Sequence, residues 1–97
     1  MKFQWDSEKN TENVKKHGIR FEDAQKIFNG PTVSEIDDSS DDYGEIREIS
    51  LGLLNNVVVL MVVHTDRDGE TRLISARKAT STERKHYEEA LRQSFNY

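Results

Sequence analysis

The stretch "EIREISLGLLNNVVVLMVVHTDRDGETRLISARKA", residues 45–79, decides the fold. Two turn signals cut it into three apolar segments. Asn55-Asn56 is a pair that tolerates positive φ, and Asp68-Gly69 sits inside the polar run "DRDGE". The segments 45–54, 57–65 and 71–79 are short and mostly rich in β-branched residues, so each reads as a strand. The middle segment is apolar on both faces, which predicts a central strand. Tight turns reverse the chain, so the three strands form an antiparallel meander.

On the C-terminal side, Thr80 and Glu83 have the spacing of a capping box and start a helix that runs to about Arg92. Its buried stripe is Tyr87, Ala90, Leu91 and Phe95. On the N-terminal side, residues 32–36 read as a short strand, followed by the acidic loop "DDSSDDYG". A helix fits 21–28, where Phe21, Ala24, Ile27 and Phe28 recur at helical spacing, and Asn29-Gly30-Pro31 ends it. Another helix fits 7–17, capped by Asp6 or Ser7 and stopped by Gly18, with Val14 its chief apolar residue. "KFQW" at 2–5 alternates, so a short strand carries Phe3 and Trp5 on one face. The expected fold is α+β: an antiparallel β-sheet packed with two N-terminal helices and one C-terminal helix, in a single domain over 1–97.

At 97 residues the chain can build one core. There is no cysteine, which removes disulfides and thiolate metal sites and fits a reducing cytoplasm. The longest apolar run, 57–63, is too short to cross a bilayer, and the N-terminus lacks the apolar stretch of a signal peptide, so no membrane association is expected. The net charge of -4 is unevenly spread. Residues 31–44 carry Glu35, Asp37, Asp38, Asp41 and Asp42 and no cation, whereas 72–86 gather Arg72, Arg77, Lys78, Arg84, Lys85 and His86. That balance argues against non-specific coating of nucleic acid but permits contact with a few phosphates.

The N-terminal set Phe3, Trp5, Asp6, Lys9, Asn13, Lys16, His17, Gly18, Ile19, Phe21, Glu22, Ala24 and Phe28 resembles the BrnT toxins. So does the later set Glu45, Arg47, Gly52, Arg67, "RLISARKA" at 72–79, Glu83, Arg84 and Tyr87. Ser7 departs from it, standing where the family often has Pro. The resemblance implies a RelE-like fold and a type II toxin that cleaves RNA without a cofactor. It also implies a BrnA-type antitoxin partner, with DNA contacted only indirectly through that antitoxin.

A metal-free ribonuclease must take a proton from a ribose 2′-hydroxyl, stabilise charge on the phosphate and protonate the leaving 5′-oxygen. Arginine suits the phosphate because its planar fork stays charged and binds oxygens in pairs. Arg47, Arg72 and Arg77 are the candidates. Strict strand alternation puts Arg72 and Arg77 on opposite faces unless a bulge or the strand end turns one of them. Arg77, beside the last helix, is preferred; the plain structural alternative is an ion pair with Glu83. For proton transfer the candidates are His17, at a helix end where the dipole favours a cation, and His64, which shares a face with Val58, Leu60 and Val62. His17 fits a helix cap as well, and His64 fits a satisfied core histidine. His86 is a third, less favoured candidate for proton transfer; it lies on an exposed helix turn, where the plain surface reading is preferred. Lys16 and Lys78 are candidate phosphate contacts, and Trp5 and Tyr87 candidate base-stacking residues, unless both pack inward. Glu45 is expected to orient Arg47. The three histidines lack ligand spacing, so no metal site is expected.

The alternative function, from a different class, is a non-catalytic partner-binding module that takes part in operon autoregulation. The acidic balance favours it, while the Arg and His set favours the enzyme.

Overall fold

The computed structural model describes residues 1–37 and 45–95, Phe95 by its backbone alone. The acidic loop, beyond Asp37, and the expected burial of Phe95 lie outside the described residues. The elements are β1 (Phe3–Gln4), α1 (Ser7–His17), α2 (Phe21–Ala24), a 3-10 segment (Gln25–Asn29), β2 (Val33–Asp37), β3 (Arg47–Leu54), β4 (Val58–Arg67), β5 (Glu70–Lys78) and α3 (Ser81–Phe95). The strands form one sheet in the order β1-β5-β4-β3-β2.

The meander is as read, with β4 central between antiparallel β3 and β5. Asn55 and Asn56 have φ of 53° and 60°, and the Val57 N–H closes on the Leu54 carbonyl at 3.1 Å. Positive φ at both central residues suits the right-handed twist of a hairpin. Asp68 and Gly69 make the second such turn, at φ 54° and 80°. The sheet is mixed, however, rather than antiparallel: β1 runs parallel to β5, pairing Phe3 with Thr71 and Gln4 with Arg72. Hairpin turns fixed only β3, β4 and β5; β1 reaches the free edge of β5 through a long connection, which leaves its direction open.

The sheet is packed on both faces. On one lie α1, α2 and the 3-10 segment, around a core of Ile19, Phe21, Ala24, Ile27, Leu60, Val62, Leu73 and Ala76. The helix expected over 21–28 is divided: after one α turn the chain tightens into the 3-10 segment. That brings Ile27 down onto β3 at Gly52, where a Cβ would stand 2.8 Å from the Ile27 Cβ. On the other face α3 packs Tyr87 and Leu91 against Leu51, Val59, Val33, Leu53 and Met61. Burying a side chain such as Ile27 stabilises the fold by roughly 1.5–3 kcal/mol, so this close approach is worth a glycine.

Helix α1 is anchored by a polar residue. Val14 is 40% exposed, and the buried side chain is Asn13. Its Nδ2 donates to the carbonyls of Ile19 and Ala76, both at 2.8 Å, and its Oδ1 accepts the Ala76 N–H at 3.1 Å. Beyond Arg72 this edge of β5 pairs with no strand among the described residues, and this amide pairs with it as another backbone would. One turn earlier, Asn10 Oδ1 accepts the Phe21 N–H at 2.9 Å and so covers the start of α2.

Two substitutions test this packing by urea unfolding. Gly52→Ala forces Ile27 aside and costs about 1–3 kcal/mol. Asn13→Ala strands buried backbone groups at Ala76 and Ile19 and costs about 2–4 kcal/mol. A loss under about 0.5 kcal/mol in either, the level of a surface change, contradicts the contact it removes.

Candidate active site

One irregularity in β5 determines where the arginines point. Val63 pairs with Ser75, but the next residue, His64, pairs with Leu73, so Ile74 is an extra residue in β5. The bulge resets the alternation. Arg77, opposite Met61, and Arg72, opposite Thr65, therefore share a face despite an odd sequence separation. Arg47 is also opposite Thr65, from the other side, and joins them. This is the α3 side of the sheet.

The register aligns Asp37, Arg47, Thr65, Arg72 and Gln4 in one row across the five strands. Arg47 and Arg72 flank Thr65, so their backbones are about 10 Å apart at the usual strand spacing. Thr65 is buried and its hydroxyl donates to the Ile46 carbonyl at 2.7 Å, making a firm floor. Arg77 lies four residues further along β4, about 13 Å away.

The charge partners differ sharply. Arg77 closes its fork on Glu83, Nη1 and Nη2 meeting the two carboxylate oxygens at 2.8 and 2.9 Å. The Thr80 N–H also donates to that carboxylate at 2.8 Å, and the Glu83 N–H donates to the Thr80 hydroxyl at 3.2 Å, so the capping box is formed. Hydrogen bonding to Arg77 holds Glu83 down to about 2. Arg67 pairs with Glu45, which was expected to serve Arg47. Arg72 Nη1 donates instead to a neutral amide oxygen, Gln4 Oε1, at 2.8 Å. Gln4 is held in turn by Glu70 Oε2, at 2.9 Å from its Nε2. This neutral partner does not compensate the Arg72 charge.

The remaining candidates stand elsewhere. His64 is 5% exposed on the α1 side, its Nε2 2.7 Å from the Ser50 hydroxyl and its ring edge-on to Phe28. Burial lowers its pKa, against weaker raising effects of Glu48 and Asp66, so it is a neutral core imidazole. His17 and Lys16 are exposed at the end of α1, and Lys78 is opposite Leu60, so these three are on the side away from the arginine row. Trp5 packs edge-on to Phe21 in the core. Tyr87 is 1% exposed with its hydroxyl donating to the Pro31 carbonyl at 2.9 Å, which leaves no face for a base. His86, read as plain surface, lines an open groove on the arginine side together with Glu35 and Ile49.

Sequence reasoning passed over Gln4. Its only signal was alternation in "KFQW", which puts it opposite the two aromatic rings.

A family model described as the ribonuclease toxin BrnT of type II toxin-antitoxin systems matches residues 5–83. The chain belongs to the BrnT family. The crystal structure of the Brucella abortus ribonuclease toxin BrnT is similar to this chain at 26% identity and a TM-score of 0.64, covering 84% of this chain and 99% of that one. No curated protein matches. BrnT membership makes this chain a toxin of a type II system and implies an antitoxin partner. Among the described residues no helix is long and apolar enough to cross a membrane.

The Glu83 contacts carry a pH signature. Its folded-state pKa lies well below the ordinary 4.5, so the stabilisation is complete above pH 4.5 and lost as pH falls toward 2. Arg77 and Glu83 side chains are 32% and 29% exposed; with that screening the contribution is about 1–2 kcal/mol. Urea unfolding between pH 5.5 and 2.5 reads it, and Glu83→Gln should remove the Glu83 share of that slope, leaving the share of Glu22 and Asp23, whose pKa values are lowered by hydrogen bonds from Asn10 and Arg20. An unchanged slope contradicts the pairing. His64 responds in a higher window: the unfolded chain takes up its proton near 6.5 before the folded chain does, so stability also declines below that pH. An NMR titration of its ring should give a midpoint below 6.5.

Proposed function

We propose that this BrnT toxin is a metal-independent, RelE-like endoribonuclease that inhibits translation and growth and is neutralised by a BrnA-type antitoxin. The single observation that carries the site is the row Arg47–Thr65–Arg72, two guanidinium groups from different strands on one face. A phosphodiester over Thr65 lies within reach of both. Arg72, oriented by its hydrogen bond to the neutral Gln4 amide oxygen, is the principal phosphate ligand; Arg47 is the second.

In this mechanism the 2′-hydroxyl loses its proton to a base as its oxygen attacks phosphorus. The P–O bond to the 5′-oxygen breaks, and an acid protonates that oxygen. A 2′,3′-cyclic phosphate and a 5′-hydroxyl result. The arginines stabilise the negative charge that gathers on the non-bridging oxygens. Among the three histidines, His86 is favoured for proton transfer because it lines the groove on the arginine side. His64 is buried with its Nε2 hydrogen-bonded to Ser50, and His17 belongs to the opposite layer. Arg77 is a positioning residue that locks the start of α3.

Induction of the chain alone in a bacterium should arrest growth with decay of RNA. Arg72→Ala should relieve the arrest and lower cleavage by roughly a hundredfold or more, as for loss of one preorganised donor to a transition state, with unfolding unchanged. Arg77→Ala should instead lower stability. Normal growth and intact RNA with a folded wild-type protein favour the partner-binding function.

A further inference from the structure

We propose that the groove between the first turn of α3 and the outer strands of the sheet binds a nucleobase of the RNA, with guanine the base it accepts best. This deepens the ribonuclease reading and rests on it, since the neighbouring phosphate is assigned to the Arg47–Arg72 row.

The groove encloses about 320 Å³, at the lower end of the range for small-ligand clefts, roughly 300–1,000 Å³. Its floor is apolar: Val33 from β2 and Ile49 and Leu51 from β3. Ile49 follows Arg47 by two residues on the same strand face, about 7 Å along. That span is comparable to the distance from a backbone phosphate to the base of the same nucleotide. A chain with its phosphate over Thr65 can therefore lay a base on the half-buried Ile49. The ring loses water against the apolar floor while its edge meets polar groups at the rim.

The rim selects the base. Glu83 lines one wall, but both its oxygens are taken by Arg77 and Thr80. Glu35 lines the other wall from β2, directly across from Ile49. It is exposed and makes no hydrogen bond or ion pair among the described residues. A carboxylate only accepts hydrogen bonds. Guanine offers it N1–H and N2–H side by side, a match for its two oxygens. Adenine and cytosine present a single amino group, and uracil flanks its one N–H with carbonyls that repel the carboxylate. The acidic residue beside the arginines, unfavourable for phosphate, is in this way favourable for a base edge.

The test uses the full chain and short oligonucleotides that are 2′-O-methylated throughout, so that binding is measured by fluorescence anisotropy without cleavage. A second set carries one scissile ribonucleotide for single-turnover rates. Replacing guanine by inosine, which lacks the 2-amino group, should weaken binding and cleavage about tenfold, the value of one hydrogen bond to a charged group, and uracil should be worse. Glu35→Gln, at an exposed site and with an unchanged circular dichroism spectrum, should abolish the guanine-over-inosine preference. Equal affinity for the guanine, inosine and uracil oligonucleotides overturns the proposal, as does a preference that survives Glu35→Gln. Should Glu35→Gln weaken antitoxin binding alone, the groove is a partner-docking surface and the proposal also fails. Guanine-selective binding that depends on Glu35 but occurs without cleavage supports the pocket and counts against the ribonuclease reading instead.

Discussion

The extra residue Ile74 in β5 is the constraint on which the arrangement of this molecule turns. Without it, alternation would send Arg72 to the α1 side, into the core that Leu73 and Ala76 now fill. With it, Leu73 stays in that core while Arg72 turns to the α3 side with Arg47 and Arg77. A bulge costs local pairing, and here the cost is contained. The strand is covered by β4 on one edge, by β1 near Arg72, and by the Asn13 amide at Ala76.

That placement separates two uses of charge. At one end of β5, Arg77 and Glu83 neutralise each other and lock the turn into α3. At the other end, Arg72 is steadied by the uncharged Gln4 and retains its charge toward the open sheet. The same residue type therefore has opposite roles five positions apart, and what distinguishes them is the partner. The short strand β1 owes its value to this: its hydrogen bonding with β5 brings Gln4 into the row.

Much of the fold was legible in the sequence because it is locally encoded. Asn55-Asn56 and Asp68-Gly69 tolerate the positive φ that tight turns need, and Thr80 with Glu83 specifies its own helix start. The parallel pairing of β1 and the two-amide support from Asn10 and Asn13 were not legible, since they depend on contacts between distant segments. The site was only partly legible. Arginine chemistry singled out Arg47, Arg72 and Arg77, and these share one face of the sheet, but the bulge at Ile74 has no sequence signature, and strict alternation set Arg72 and Arg77 apart. His64 attracted notice as an unusual residue on an apolar face, and its hydrogen bond with Ser50 and contact with Phe28 explain it structurally. His86 looked like surface because the groove it lines is made by β2 and β3, far away in sequence.

The most direct measurement is an NMR titration of the arginine side-chain Nε–Hε signals with an uncleavable RNA dinucleotide. Large shifts confined to Arg47 and Arg72, with Arg77 unmoved in its pairing with Glu83, are the predicted result. Shifts at Arg77, or at Lys16 and His17 on the opposite layer, with Arg47 and Arg72 silent, would contradict the account.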